Sequence, residues 1–254
     1  MTDALLLLHG HPLDASMWEP QLEGLDGTAH LIAPSLPGFG GEPSAGDVMT
    51  MEAAADRAAA ALTDAGVDRA VICGISMGGY VAFALWRRHR DLVSGLVLSN
   101  TRAGADDEAG KERRRQLADR LRNEGNFLAD NPPPLLSADA PPDLWERVKE
   151  IVRAQPAEAI AAAALGMAER SDSTPDLAGI SVPTLVITST GDTLIPPEAT
   201  TPMGDQIPGA RVEVIQGAGH LSNLEAPDEF NRLLTEHLAR MGYRGGSINT
   251  QNDP

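Results

Sequence analysis

Short apolar runs bounded by turn residues recur along this chain, at Ala4–Leu8, His30–Ala33, Ala70–Cys73, Gly95–Ser99, Thr184–Thr188 and Val212–Ile215. Runs of this kind read as strands buried in a parallel sheet. Helical patterns lie among them, at about Met51–Asp64, Met77–Arg88 and, after the last run, Asp228–Met241. Strands alternating with helices imply an α/β architecture: a mostly parallel central sheet with helices on both faces.

One interval breaks the rhythm. From Thr101 to about Ile180 no strand pattern occurs, but helical stretches appear near Glu112–Arg122, Pro142–Arg153 and Ala157–Arg170. Pro132-Pro133-Pro134 and Ser171-Asp172-Ser173-Thr174-Pro175 punctuate them. The expected organisation is therefore a core from residues 1–100 and 181–244, with a helical cap inserted at 101–180. Residues 245–254, polar and Gly-rich, read as a mobile tail.

Composition narrows the function classes. An excess of 36 acidic over 20 basic residues gives a formal charge of −16, which repels phosphate backbones and anionic lipid headgroups. Neither nucleic acid nor membrane is an expected partner. Cys73 is the sole cysteine, which excludes an intrachain disulfide and a thiolate metal cluster. Its place in the run Val71-Ile72-Cys73 suggests a buried, inert thiol. The N-terminal stretch Met1–His9 lacks a basic region and is too short an apolar run for a signal core or a membrane span, so a cytoplasmic location is expected.

The chemistry-bearing motif is Gly74-Ile75-Ser76-Met77-Gly78-Gly79, after an expected strand and at the start of an expected helix. So sharp a strand-to-helix turn brings backbone against backbone, which requires residues without a Cβ two before and two after the serine. It leaves the hydroxyl at the carboxyl edge of the sheet, beside a helix N-terminus that favours negative charge. A serine is a weak nucleophile and needs a base. Among six histidines, His220 lies in the loop between the last strand and the last helix, at the same sheet edge. His30, His89 and His237 fall in a strand start, a charged run and an amphipathic helix, where structural or solvated roles are the ordinary ones. Asp192 follows the strand Thr184–Thr188 and supplies the acid that orients the base. After the strand ending at Ser99 a rival acid would be needed at a point that Asn100 occupies, with Asp106 further on. The backbone N–H groups of Met77 and His11 are the expected donors to an oxyanion.

With His9-Gly10-His11-Pro12, Leu36-Pro37-Gly38-Phe39-Gly40, Asp192-Thr193-Leu194-Ile195-Pro196 and Gly217-Ala218-Gly219-His220 in correct order, the chain resembles the α/β-hydrolase superfamily. It is similar to small capped carboxylesterases, enol-lactonase-like enzymes and cofactor-free haloperoxidase-like perhydrolases. The resemblance implies an α/β-hydrolase fold, a Ser76–Asp192–His220 triad, no metal or organic cofactor, and a small ester or lactone as substrate. Perhydrolysis on the same site, or a non-catalytic ligand binder on the same fold, are the alternatives it leaves. Two departures stand out. Ser189 and Thr188 stand where the acid motif usually has a glycine, and His11 replaces a usual apolar residue.

Other patterns suggest other chemistry. His9, His11 and Asp14 form His-x-His-x-x-Asp, which could begin a binuclear metal site, although later strand ends offer only His220. Lys111, Arg113, Arg114, Arg115, Arg120 and Arg122 crowd one expected helix, either to attract an anionic substrate or as a solvated face paired with Glu112, Asp119 and Glu124.

Overall fold

The computed structural model describes residues 4–243. Leu5, Leu6, Leu7 and Leu8 are fully buried, and each such side chain contributes roughly 2 kcal/mol of transfer free energy. They make β1, Ala4–Leu8, a strand covered on both faces. Around it assemble β2 (His30–Ile32), β3 (Ala70–Ile75), β4 (Val93–Ser99), β5 (Thr184–Ser189) and β6 (Arg211–Ile215). The order is β2-β1-β3-β4-β5-β6 and every pairing is parallel.

This order fixes the helix layers. The chain steps one way from β1 to β2, then crosses back and proceeds the other way from β3 onward. Right-handed crossovers then put α1 (Glu19–Gly24) on one face, and α2 (Met51–Asp64) and α3 (Met77–Arg88) on the other. Between β4 and β5 come α4 (Glu108–Glu124), α5 (Pro142–Arg153) and α6 (Ala157–Glu169), with no strand. Short helices α7 (Pro197–Thr200) and α8 (Pro202–Gln206) precede β6, and α9 (Ser222–Glu225) and α10 (Pro227–Arg240) follow it. Helix α10 packs on α1, closing the first face.

The expected elements are present with small shifts. Strand β4 begins at Val93, two residues before the expected Gly95, because Val93 pairs with Ala70 across a register shift at Ser94. Strand β6 differs from the expectation of a strand buried on both faces. It is the sheet edge, and Val212 and Val214 keep 38% and 41% of their surface. Helix α1 is not apparent from periodicity, since it spans only 6 residues with Pro20 in its first turn. The expected mobile tail, residues 245–254, lies outside the described residues. No described helix is long and apolar enough to cross a membrane.

The strand order reverses beside β1, whose carboxyl end lies next to that of β3 through the pairing Leu8↔Gly74. Such a switch point opens a crevice beyond the strand ends, where open α/β sheets bind ligands.

Candidate active site

Ser76 sits in that crevice with φ 55° and ψ −116°, a left-handed conformation that a non-glycine residue adopts at a cost of about 1–3 kcal/mol. The elbow is over-determined by its surroundings. The Ser76 N–H donates to the Ser99 carbonyl at 3.0 Å, and the Thr101 hydroxyl donates to the Ser76 carbonyl at 2.8 Å. A Cβ on Gly74 would collide with the Gly78 backbone, and one on Gly78 with the Leu8 carbonyl. Serine at a helix start normally caps it with its own hydroxyl. Ser76 makes no such cap bond, so its hydroxyl is not committed to the helix α3 that it opens.

His220 and Asp192 meet directly. The His220 Nδ1 lies 2.8 Å from Asp192 Oδ2, and both residues are almost completely buried. Against a carboxylate acceptor Nδ1 is the donor, so Nε2 is the ring nitrogen that Asp192 does not engage. Asp192 Oδ1 accepts the N–H groups of Leu194 and Ile195, each at 2.9 Å. Burial alone would disfavour the carboxylate. The hydrogen bond and charge of His220, the Ile195 N–H and the Asn100 amide outweigh it and hold Asp192 below the ordinary carboxylate range.

A cavity of about 370 Å³ takes both Ser76 and His220 into its wall. Among the hydrogen bonds of the described residues none joins their side chains; what they share is the lining of this cavity. His11, Tyr80, Leu194 and Ile195 complete the sheet side. The segment between β4 and β5 supplies the rest, through Arg102, Arg114, Leu117, Leu128, Asn131, Pro133, Leu135 and Met167.

The loop after β1 runs beside the serine: a Cβ on Gly10 would lie 3.5 Å from that of Ser76. Met77 is the first residue of α3, where an N–H has no intrahelical acceptor. His9 stiffens the loop from beneath. Its Nε2 accepts the Leu36 N–H at 2.9 Å while Nδ1 faces the Gly10 carbonyl at 3.1 Å. That usage requires a neutral ring, and burial, opposed by the Gly10 carbonyl, lowers its pKa to about 4. His11 is half-buried in the cavity wall, and its Nε2 donates to the Ile160 carbonyl on α6 at 3.0 Å. With both His9 nitrogens and the His11 Nε2 so engaged, His-x-His-x-x-Asp holds a loop in place. No group of three or more His, Cys, Asp or Glu among the described residues could hold a metal ion.

Two residues not read as functional in the sequence bear on the site. Asn100, buried at the end of β4 with φ 44°, donates its amide to Asp192 Oδ2 at 3.0 Å and to the Ser189 hydroxyl at 2.7 Å. Its Oδ1 accepts from Ser99 and Ser222. Glu225 accepts the N–H groups of Gly219 and Ser137 and the Ser137 hydroxyl, tying the His220 loop to the inserted segment. The signal for Asn100 was its position at a strand end, where a carboxylate was sought and an amide stands. Of the basic residues on α4, Arg114 alone lines the cavity. Lys111, Arg115 and Arg120 pair with Glu108, Glu112 and Glu124 on the surface. Cys73 is buried, which pushes its thiol pKa up and keeps it protonated.

The same fold occurs in known proteins. The chain is 41% identical to an esterase from Thermogutta terrifontis solved with malate bound, at a TM-score of 0.90 over 94% of this chain and 90% of that one. It is 27% identical to the enol-lactonase from Burkholderia xenovorans LB400, at a TM-score of 0.83 over 94% and 92%. A pimeloyl-[acyl-carrier protein] methyl ester esterase from Edwardsiella ictaluri is 30% identical over 245 residues, 91% of this chain and 92% of that relative. The sequence model of the Alpha/beta hydrolase family matches residues 5–233, so the chain belongs to the alpha/beta hydrolase family.

Proposed function

We propose that the protein is a serine hydrolase that cleaves a small carboxylic ester or lactone through an acyl-enzyme on Ser76. His220 takes the hydroxyl proton through Nε2 as Ser76 attacks the carbonyl carbon, and Asp192 steadies the resulting imidazolium. The N–H groups of Met77 and His11 receive the developing oxyanion, where each donor is worth roughly a hundred- to a thousandfold in rate. His220 then protonates the leaving alcohol. Water, deprotonated by the same ring, attacks the acyl carbon and frees Ser76 and the acid.

The observation that carries this reading is the strained, uncapped Ser76 on the wall of a cavity shared with His220, whose other nitrogen is held by a buried carboxylate. In this reading residues 101–180 act as a cap that supplies most of the substrate pocket and excludes bulk water. The esterase and lactonase relatives favour the ester class.

A panel of p-nitrophenyl esters of rising chain length, set beside enol-lactones and peracid formation, tests the assignment. Ester or lactone turnover should fall by several orders of magnitude in Ser76→Ala and in His220→Ala, with the fold retained. A modest loss in either variant contradicts it, and peracid formation as the dominant activity would favour the perhydrolase alternative.

A further inference from the structure

The cavity wall carries an uncompensated positive charge. Arg102 and Arg114 line it, together with His11 and His220, and no Asp or Glu does so. Behind them Asp106 is buried and accepts from Arg102, Arg114 and Arg170 at once. Three guanidiniums share this carboxylate, and with Asp172 near Arg170 as the second acid of the cluster, positive charge remains in excess. The excess is local, because the chain as a whole has 36 acidic residues and only 20 basic ones.

Asp106 has no capacity left to absorb it. Its Oδ1 takes Arg102 and Arg170, its Oδ2 takes Arg114 and Arg170, and two contacts per oxygen fill the usual acceptor sites. The three arginines differ in what remains to them. Arg170 is buried and shut off from the cavity lining: it also donates to the carbonyls of Met167 and Gly104, its guanidinium lies over the Tyr80 ring at 4.1 Å, and its Nε is buried with no partner among the described residues. Arg102 and Arg114 keep 38% and 23% side-chain exposure. Beyond Asp106 their N–H groups find only the Met167 sulfur among the described residues, and the Arg102 Nε is buried without any partner. Each guanidinium carries five donors, so both retain several for a bound group. A structural staple between the start of this segment and α6 would need Asp106 and Arg170 alone.

We propose that Arg102 and Arg114 form a carboxylate-binding subsite, so that the preferred ester carries a second, free carboxylate, as in the half-ester of a short dicarboxylic acid. This deepens the reading of the cavity as an ester site and rests on it. Arg170 and Asp106 hold the two guanidiniums in place; Arg102 and Arg114 touch the substrate. A half-ester replaces water on these donors with a charge-assisted pair, whereas a neutral ester of the same length leaves them to solvent inside a partly dry pocket. The subsite acts on specificity, leaving the chemistry at Ser76 to the groups already described.

The test compares methyl half-esters of succinic, glutaric and adipic acid with their terminal carboxamide counterparts. Calorimetric titration of the free diacids into the wild-type protein runs beside it. For at least one length, kcat/KM should favour the carboxylate by about tenfold or more, the size expected of one desolvated charge pair. That ratio should fall at least about tenfold in Arg102→Gln and in Arg114→Gln, recover in part in Arg102→Lys, and shrink with added salt. Diacid affinity should fall in parallel. Arg102→Gln is the primary variant because its side chain is the more exposed, and a thermal melt verifies its fold.

Equal turnover of carboxylate and carboxamide, with diacid binding absent or indifferent to Arg102, overturns the subsite while Ser76-dependent hydrolysis of neutral esters upholds the enzyme. Arg102-dependent diacid binding without hydrolysis of any ester does the reverse: the subsite stands and the hydrolase reading falls.

Discussion

The Asn100 amide and the His220 ring share one acceptor, Asp192 Oδ2, at 3.0 and 2.8 Å. Asn100 is fixed in turn by Ser99, Ser189 and Ser222, and its N–H donates to the Ile187 carbonyl at 2.8 Å. The carboxylate that pairs with His220 is therefore anchored to β4 and β5 at once.

Under the proposed mechanism Asn100 is a positioning residue, with a measurable signature. Asn100→Ala should lower kcat about tenfold with little change in KM and cost about 2 kcal/mol of stability, as a buried network loses a member. Asn100→Asp should be worse, because a second carboxylate beside Asp192 raises the pKa of the pair and shifts the acid limb of the pH–rate profile upward. Wild-type kcat and an unshifted profile in both variants would remove Asn100 from the mechanism.

The elbow predicts a stability contrast between two glycines. A Cβ at Gly78 meets the Leu8 and His9 carbonyls, whereas one at Gly104 meets nothing within 4 Å. Gly78→Ala should destabilise by about 3 kcal/mol or more, and Gly104→Ala should lie within about 0.5 kcal/mol of the parent. Urea titrations of both variants read this directly.

Buried histidines set the acid side of the stability curve. His9 and His237 have pKa values lowered to about 4, in each case mainly by burial, and at His237 the nearby Arg211 and Arg240 act in the same direction. Between about pH 6.5 and 4 the unfolded chain holds these protons and the folded chain does not. Protons bound preferentially to the unfolded state lower stability as pH falls, by at most about 1.4 kcal/mol per pH unit for each group. Stability should thus decline from pH 7 to pH 4. In His237→Leu the slope should be shallower by up to one proton. An unchanged slope would show that His237 does not titrate this way.

Cys73 offers a probe of global opening. Its thiol is buried and its pKa is pushed up by that burial. Iodoacetamide at pH 8 should leave the native protein unlabelled and modify it only at the rate of unfolding, in step with loss of helical signal. Rapid native labelling would place Cys73 on an accessible path.

Much of the fold was legible because its signals are local. The six apolar runs and the helices Met51–Asp64 and Met77–Arg88 follow from periodicity, and the elbow from the steric demand on Gly74 and Gly78. Asp192 and His220 could be chosen because their strand ends share an edge with Ser76, which topology dictates. What stayed hidden depends on contacts between distant segments. Nothing near Asn100 in sequence signals that β5 and α9 bring Asp192 and Ser222 to it. Arg114 looks like its neighbours on α4 until the packing of α4 on α6 turns it toward Asp106 and Arg170. Val212 and Val214 read as core because edge position is a property of the sheet and not of the strand.

The central claim is that the Ser76 oxygen becomes the nucleophile because His220 accepts its proton. Intact-mass and peptide analysis after exposure to a fluorophosphonate tests it most directly. The account predicts a single adduct on the peptide holding Ser76, forming at least about a hundredfold more slowly in His220→Ala and absent in Ser76→Ala. An adduct on another residue, or one that forms on Ser76 at an equal rate without His220, would contradict it.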